Sequence, residues 1–338
     1  MGVWALIFLL AFSSGFVESY IRSAIDNEIS HIQIHNPKFK DEKEVQYTLA
    51  SVTQKIETLG KQEAVAAFAQ RSIQVGMIAN SKGSRGAQIR AIVPAQEANL
   101  TKLDKKIVEG TYFGGETKNP IIISRRLAEK MGLKLKSKVV LTFQDSKGEL
   151  TSAAFKIIGL YSLGNAMYEE MNVFVEEIDM TRLSGDQQMI HEIAMTVKQL
   201  DQIDTVKSIL AAAFPDALEE NYKEVAPDVN LYESQMSVST TVIIVIVMLA
   251  LIFGIINTML MAVLERTREL GMLTAVGMKR KEVFGMIVLE TLFLGMVAAP
   301  IGLFLGALTV SYFGTYGLDL SAYSGGMEKF GLQSIVYT

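Results

Sequence analysis

The 338-residue chain contains no cysteine, three histidines and a single tryptophan. Without cysteine there is no disulfide framework, no thiolate metal site, no iron–sulfur cluster and no cysteine nucleophile. His31, His35 and His191 leave little material for a His-rich metal centre or a serine triad. A basic excess is also missing. Lys and Arg total 32 against 36 Asp and Glu, a net charge of −4, which leaves no electrostatic footprint for nucleic acid. The sequence has no G-x-x-x-x-G-K-[ST], G-x-S-x-G, H-E-x-x-H or EF-hand pattern. If nucleotide hydrolysis powers this protein, another chain supplies it.

What the chain does have is apolar length. Its mean hydropathy is +0.27, unusual for a soluble domain, and the apolar residues are concentrated. No charge occurs between Glu233 and Glu265, and the 23-residue core Val242–Leu264 reaches about 35 Å as a helix, enough to cross a hydrocarbon layer of ~30 Å. A second uncharged run lies between Glu290 and Asp319, and the span holding it reaches back to Val283. Met1–Val17 is apolar but short. A signal peptide would need a basic lead-in, and no Lys or Arg precedes Arg22. The expectation is therefore three membrane spans: a truncated one over 1–17, one over 236–264 and one over 283–313. A tail at 314–338 would precede a missing fourth span. The loop between the second and third spans, 265–282, holds Arg266, Arg268, Lys279, Arg280 and Lys281, whereas the tail holds only Lys329. The positive-inside bias puts this loop in the cytoplasm and residues 18–235 outside it.

Residues 18–235 mix strand and helix patterns. Ile32 and Ile34 alternate with His31, Gln33 and His35, as in a half-buried strand. Helical spacing covers Val45–Leu59. Strands are expected over Ala64–Ile78 and Gly86–Val93, joined by a turn at 80–86, with further strands at 120–123, 139–144, 153–161, 172–175 and 192–197. Ser124 reads as the N-cap of a helix closed by Gly132, and Asp201–Ala213 as a helix stopped before Pro215. This predicts an α+β domain of two lobes. The chain would leave the first lobe near Pro94 and return near His191, making about 95–185 an inserted lobe.

Several constellations read as ordinary structure. His31 and His35 are four apart on a strand, hence roughly 13 Å apart, and are expected as exposed strand histidines rather than ligands of one ion. Gly83-Ser-Arg-Gly86 reads as a hairpin turn. Glu169-Glu170, Glu176-Glu177 and Glu219-Glu220 read as solvated faces. Gly295, Ala299, Gly302 and Gly306 form a small-residue stripe suited to helix packing in lipid. Asn257 and Thr258 are polar inside a span and are candidates to line a cavity. The loop is the informative segment. Glu265, Arg266, Arg268 and Glu269 open it with mixed charge. An apolar short helix, Leu270–Val276, follows, with Gly271 in its first turn and Ala275 near its end. Gly277 stands just past that end, and Lys279, Arg280 and Lys281 close the loop. A bare connector needs only a few polar residues, so this compact amphipathic element suits docking by a cytoplasmic partner. A basic loop that merely sets topology is the alternative.

The loop, Glu265-Arg-Thr-Arg-Glu-Leu-Gly-Met-Leu-Thr-Ala-Val-Gly-Met278, resembles the E-R-[TK]-x-E-[IL]-G-x-L-x-A-[IV]-G-[AM] pattern of the ABC transporter permease superfamily that includes MacB, FtsX and LolC/LolE. Glu290 resembles the Glu that this superfamily carries early in its third span. Asn119–Gly132, Phe155-Lys-Ile-Ile-Gly159 and Ile92-Val-Pro94 resemble stretches of its MacB-type periplasmic core domain. The N-terminal Gly2–Phe16 looks most like the LolC/LolE branch. The sequence departs from the pattern at Thr274, where a basic residue is common, and at Tyr222, where a Trp is. The resemblance implies a non-enzymatic, multi-pass permease of the bacterial inner (plasma) membrane with a large periplasmic domain. It implies a second permease chain as partner, as a homo- or heterodimer, and a cytoplasmic ABC ATPase that carries the ATP and Mg; no cofactor or metal is implied in this chain. The expected output is lipoprotein release toward a periplasmic carrier. MacB-like efflux and FtsX-like regulation of a cell-wall hydrolase are the alternatives. A one-span-in, one-span-out sensor fits less well, because the chain turns back into the membrane within about 20 residues, too few for a long signalling helix.

Overall fold

A computed structural model describes residues 2–185, 188–319 and 335–336. The helices are α1 (Gly2–Ala24), α2 (Pro37–Asp41), α3 (Val52–Gly60), α4 (Pro94–Leu100), α5 (Arg125–Met131), α6 (Ala166–Met171), α7 (Glu177–Leu183), α8 (Ile203–Ala213), α9 (Tyr222–Val225), α10 (Pro227–Glu265), α11 (Thr267–Ala275) and α12 (Arg280–Tyr316). The chain divides into two units, a helical one built on 2–19 and 231–319 and an α+β one over Tyr20–Asn230.

In the helical unit, three helices are long and apolar enough to cross a membrane. Their side chains point outward, with Phe253 70 % and Phe304 67 % exposed, as lipid-facing residues must be. Every helix outruns its uncharged stretch. α1 continues beyond Val17, α10 begins at Pro227 rather than near 236, and α12 covers 280–316 rather than 283–313. The added polar turns can continue the helix because each residue costs only a fraction of a kcal/mol, about 0.7 at most, in helix propensity. Gly302 and Gly306 receive α1: a Cβ at Gly302 would meet Val3 at 3.0 Å, and one at Gly306 would meet Ile7 at 2.9 Å. Beside this contact the Trp4 indole donates to Thr309 Oγ1 at 3.0 Å and Phe8 packs on Phe313. The other half of the small-residue stripe does differently. Gly295 opens onto a groove shared with Val288, Thr291, Leu292 and Met296, and Ala299 is half-buried. The tail at 314–338 lies largely outside the described residues; within it, β11 (Leu318–Asp319) pairs with β12 (Ile335–Val336).

The α+β unit is built on one ten-stranded sheet. Its strands are β1 (Ile32–His35), β2 (Val65–Asn80), β3 (Gly83–Ile92), β4 (Ile107–Gly110), β5 (Pro120–Ser124), β6 (Lys138–Gln144), β7 (Leu150–Tyr161), β8 (Asn172–Glu176), β9 (Glu192–Val197) and β10 (Leu218–Asn221). The order is β10-β1-β9-β2-β3-β8-β5-β7-β4, with β6 joining β2 and β7. β3–β8 and β5–β7 are parallel, and the other pairs are antiparallel. The segment expected as a separate inserted lobe, about 95–185, therefore shares this sheet through the β3–β8 and β2–β6 pairings. Its apolar cluster around Ile121, Ile123, Phe143, Phe155 and Val175 also takes in Ile78 of β2 and Ile89 of β3, while Ile34, Leu59, Ile193, Leu210 and Phe214 form another.

Several local expectations need correction. Val45–Leu59 is helical only from Val52. The β2–β3 turn is far tighter than 80–86, because Asn80 pairs with Gly83 and its Oδ1 accepts from the N–H of Lys82 and Gly83. His35 is buried, since β1 lies between β9 and β10, and its Nε2 is 2.8 Å from Glu220. His31 Nδ1 accepts from the Val197 N–H. His191 Nδ1 accepts from the Ile73 N–H, and its ring stacks on Phe39. Glu169, Glu219 and Glu220 are buried rather than solvated. Glu169 accepts from the N–H of Leu163 and Gly164, which replaces the water it loses.

At mid-sheet, Arg71 on β2 is fully buried. It donates through Nε and Nη2 to both oxygens of Glu97 on α4, at 2.9 and 2.7 Å, and through Nη1 to Glu192 on β9 at 2.8 Å. Burial alone pushes the Glu97 carboxyl up, but the Arg71 charge and the hydrogen bonds from Arg71 and Thr101 outweigh it and hold Glu97 below the ordinary 4.5. A depressed carboxyl stabilises the fold fully above its unfolded value, and that contribution is lost as the pH falls through the folded value. Arg71→Leu leaves two buried carboxylates without their cation. It is expected to cost about 3–5 kcal/mol and to remove this acid-side loss, read as denaturant midpoints of the full chain across pH. For the helical unit, Gly306→Leu is expected to overpack against Ile7 at a cost of about 1–3 kcal/mol. The lone Trp4 reports it, because its emission shifts when the bond to Thr309 breaks.

Candidate coupling loop

The loop folds as three backbone devices in sequence. α10 ends at Glu265, and Arg266, at φ −101° and ψ 18°, breaks the helix and turns the chain into α11. The Leu270 N–H donates to the Arg266 carbonyl, and the Thr267 hydroxyl returns to the Leu264 carbonyl. α11 starts at Thr267, three residues before the expected Leu270, so Gly271 falls in its second turn rather than its first. The opening residues Arg268 and Glu269 are helical and exposed. Ala275 is the last helical residue.

α11 is closed by a Schellman motif. The Met278 N–H donates to the Leu273 carbonyl at 3.1 Å and the Gly277 N–H to the Thr274 carbonyl at 3.2 Å. This geometry needs the left-handed side of φ, and Gly277 supplies φ +112°. α12 follows at once, with the Glu282 carboxylate accepting from the Lys279 N–H at 2.8 Å. Arg280 and Lys281 lie in the first turn of α12.

Seated this way, α11 shows an apolar face. Met272 is 63 % and Val276 85 % exposed, Leu273 is partly covered, and Leu270 is half-buried. Positions 269, 272, 273 and 276 share one side of a helix. Cations flank this face on both sides, Arg266 and Arg268 before it and Lys279, Arg280 and Lys281 after it. Arg266 Nη1 reaches Glu290 Oε1 on α12 at 3.1 Å. The sequence marks Glu290 only through the family pattern; its partner is visible only once α10 and α12 lie antiparallel. Those two helices also meet where the Thr291 hydroxyl, which donates to the Ile287 carbonyl one turn back at 2.8 Å, lies 3.3 Å from Met259 Sδ. The Thr258 hydroxyl donates to the Gly254 carbonyl one turn back and is satisfied within α10, while Asn257 is exposed. Among the described residues no three His, Asp or Glu side chains are placed to share a metal ion.

Residues 241–337 match the family model described as FtsX-like permease C-terminal. The chain is 28 % identical over 211 residues to an uncharacterized ABC transporter permease of Methanocaldococcus jannaschii, covering 60 % of this chain and 51 % of that one. It is 24 % identical over 331 residues to the lipoprotein-releasing system transmembrane protein LolC of Neisseria meningitidis serogroup B, covering 91 % of this chain and 74 % of that one. It is 27 % identical over 209 residues to the macrolide export ATP-binding/permease protein MacB of Campylobacter jejuni, covering 54 % of this chain and 32 % of that one. The chain thus spans about half the length of the first of these relatives. Among solved structures, the periplasmic region of MacB from Actinobacillus actinomycetemcomitans is similar over 61 % of this chain and 95 % of that chain, at 12 % identity and a TM-score of 0.41, too low to establish a shared fold. The chain carries an FtsX-like permease domain, and its homologues include proteins named MacB, LolC and ABC transporter permease.

Proposed function

We propose that this chain is the membrane subunit of an ABC transporter of the bacterial inner membrane, with α11 as the element that a separate cytoplasmic ATPase grips. The observation that carries the reading is the exposed Met272–Leu273–Val276 face, closed by its own Schellman turn and flanked by cations on both sides. A nine-residue helix alone in water is marginal, and an apolar face in this position is a surface for a partner. Residues 20–230 lie on the extracytoplasmic side in this reading, which the Lys/Arg asymmetry supports. ATP binding and hydrolysis on the partner displace α11, and the helices that continue from it carry the displacement across the bilayer. A second permease chain completes the assembly.

For cargo, the reading favours lipoprotein release toward a periplasmic carrier. The match to the lipoprotein-releasing LolC runs over 91 % of this chain, and the match to the macrolide exporter MacB over 54 %. Val276→Asp is expected to abolish co-purification of the ATPase and permease-dependent ATP hydrolysis. Gly277→Ala, strained in the left-handed region by ~1 kcal/mol or more, should weaken both. Retained ATPase binding in Val276→Asp would remove the docking role. Mass spectrometry of what the intact complex retains should find acylated proteins, and a retained macrolide or an outer-membrane conduit would move the cargo to the export class.

A further inference from the structure

Glu290 is the only charged residue of α12 between Glu282 and Asp319. It stands eight residues past Glu282, about 12 Å along the helix at ~1.5 Å per residue, among Ile287, Val288, Leu289, Leu292 and Phe293. A carboxylate at that depth in an apolar helix is expensive in lipid and is tolerated when it is paired. The partner is Arg266, with Nη1 3.1 Å from Glu290 Oε1. Arg266 is the one non-helical residue between α10 and α11, and its carbonyl accepts the first hydrogen bond of α11. The guanidinium that holds Glu290 thus belongs to the residue that starts α11. The far end of α11 is fixed to α12 through the Gly277 turn and the Glu282 cap on Lys279. Toward α10, the hydrogen bond across the corner is the Thr267 hydroxyl to the Leu264 carbonyl.

We infer that Glu290 is a positioning residue: its ion pair with Arg266 locks α11 onto α12, so that the two helices move as one body about a hinge at Arg266. The inference rests on α11 being the docking element, and it names which span takes the load. A pull on α11 is delivered first to α12 and, through the Gly302 and Gly306 contacts, to α1; α10 is coupled to that body through the Arg266 corner and the softer Thr291–Met259 contact. The cation at 266 therefore serves the geometry of the loop, whereas those at 279–281 remain available to a partner's acidic rim.

The native chain has no cysteine, so nitroxide labels introduced at Met272→Cys on α11 and Leu303→Cys on α12 report one distance without background. In the full chain reconstituted in nanodiscs, the wild-type pair should give a narrow distance distribution. Glu290→Gln and Arg266→Gln should each broaden and shift it, and the charge swap Arg266→Glu with Glu290→Arg should restore it. In the unlabelled chain with the ATPase present, Glu290→Gln should keep binding it and lose stimulated hydrolysis. A distribution in Glu290→Gln identical to wild type, or a swap that fails to narrow it again, overturns the inference. The distance needs no ATPase, whereas the Val276→Asp docking assay does, so failure of the lock and failure of the docking reading are seen separately.

Discussion

Charge has no place in hydrocarbon, and that constraint arranges the whole membrane-facing part of this chain. Uncharged runs become helices because only a helix satisfies its own backbone where water is absent. The charges so excluded collect at the helix ends, and at the loop of 265–282 they crowd into a few turns. The exception is Glu290, and the structure treats it as an exception must be treated, with a cation from the nearest corner 3.1 Å away. Arg266, which makes that pair, is also the residue at which α10 ends and α11 begins.

α11 itself is held by backbone chemistry rather than by burial. Its C-terminal carbonyls are met by the N–H groups of Gly277 and Met278, and the next helix is capped within two residues. Little of its surface is covered within the chain, and Val276 is almost wholly exposed. A helix whose ends are fixed and whose apolar face is bare is preorganised for a partner, because little ordering entropy remains to be lost on association. The same features make it a poor stability element, which separates it from the domain at 20–230.

The sequence made the organisation legible to the extent that local rules decide it. Ser124 as an N-cap and Gly132 as a left-handed C-cap need no neighbours to be read, and the structure has the Ser124 hydroxyl accepting from the Leu127 N–H and Gly132 at φ +62°. The failures are tertiary. His35 and Glu220 look like surface residues until β1 is seen flanked on both sides. Glu169 looks solvated until the amides of Leu163 and Gly164 turn toward it. Arg71 gives no signal at all, since its two carboxylates lie 26 and 121 residues away. In the loop, the exposed face and Gly277 follow from spacing, but the role of Arg266 needs α12 folded back beside α10.

Arg71 and Arg266 use the same chemistry for opposite ends. Arg71 is sealed, bidentate to Glu97 and shared with Glu192, so that breaking it strands two charges where no water can reach them. It ties β2, β9 and α4 into one body. Arg266 is 59 % exposed at its side chain and pairs with Glu290 through one nitrogen, a solvent-exposed bond worth far less than the sealed one at Arg71. At the edge of the α+β domain, Ala24 at the end of α1 and Ile29 in the turn after it pack against Tyr222, Val225 and Ala226, just before α10 begins, so the chain enters and leaves this domain at one apolar clasp. A sheet pinned at its centre by Arg71 and clasped at that root resists internal deformation. The Arg266 corner, by contrast, is held by few and exposed bonds.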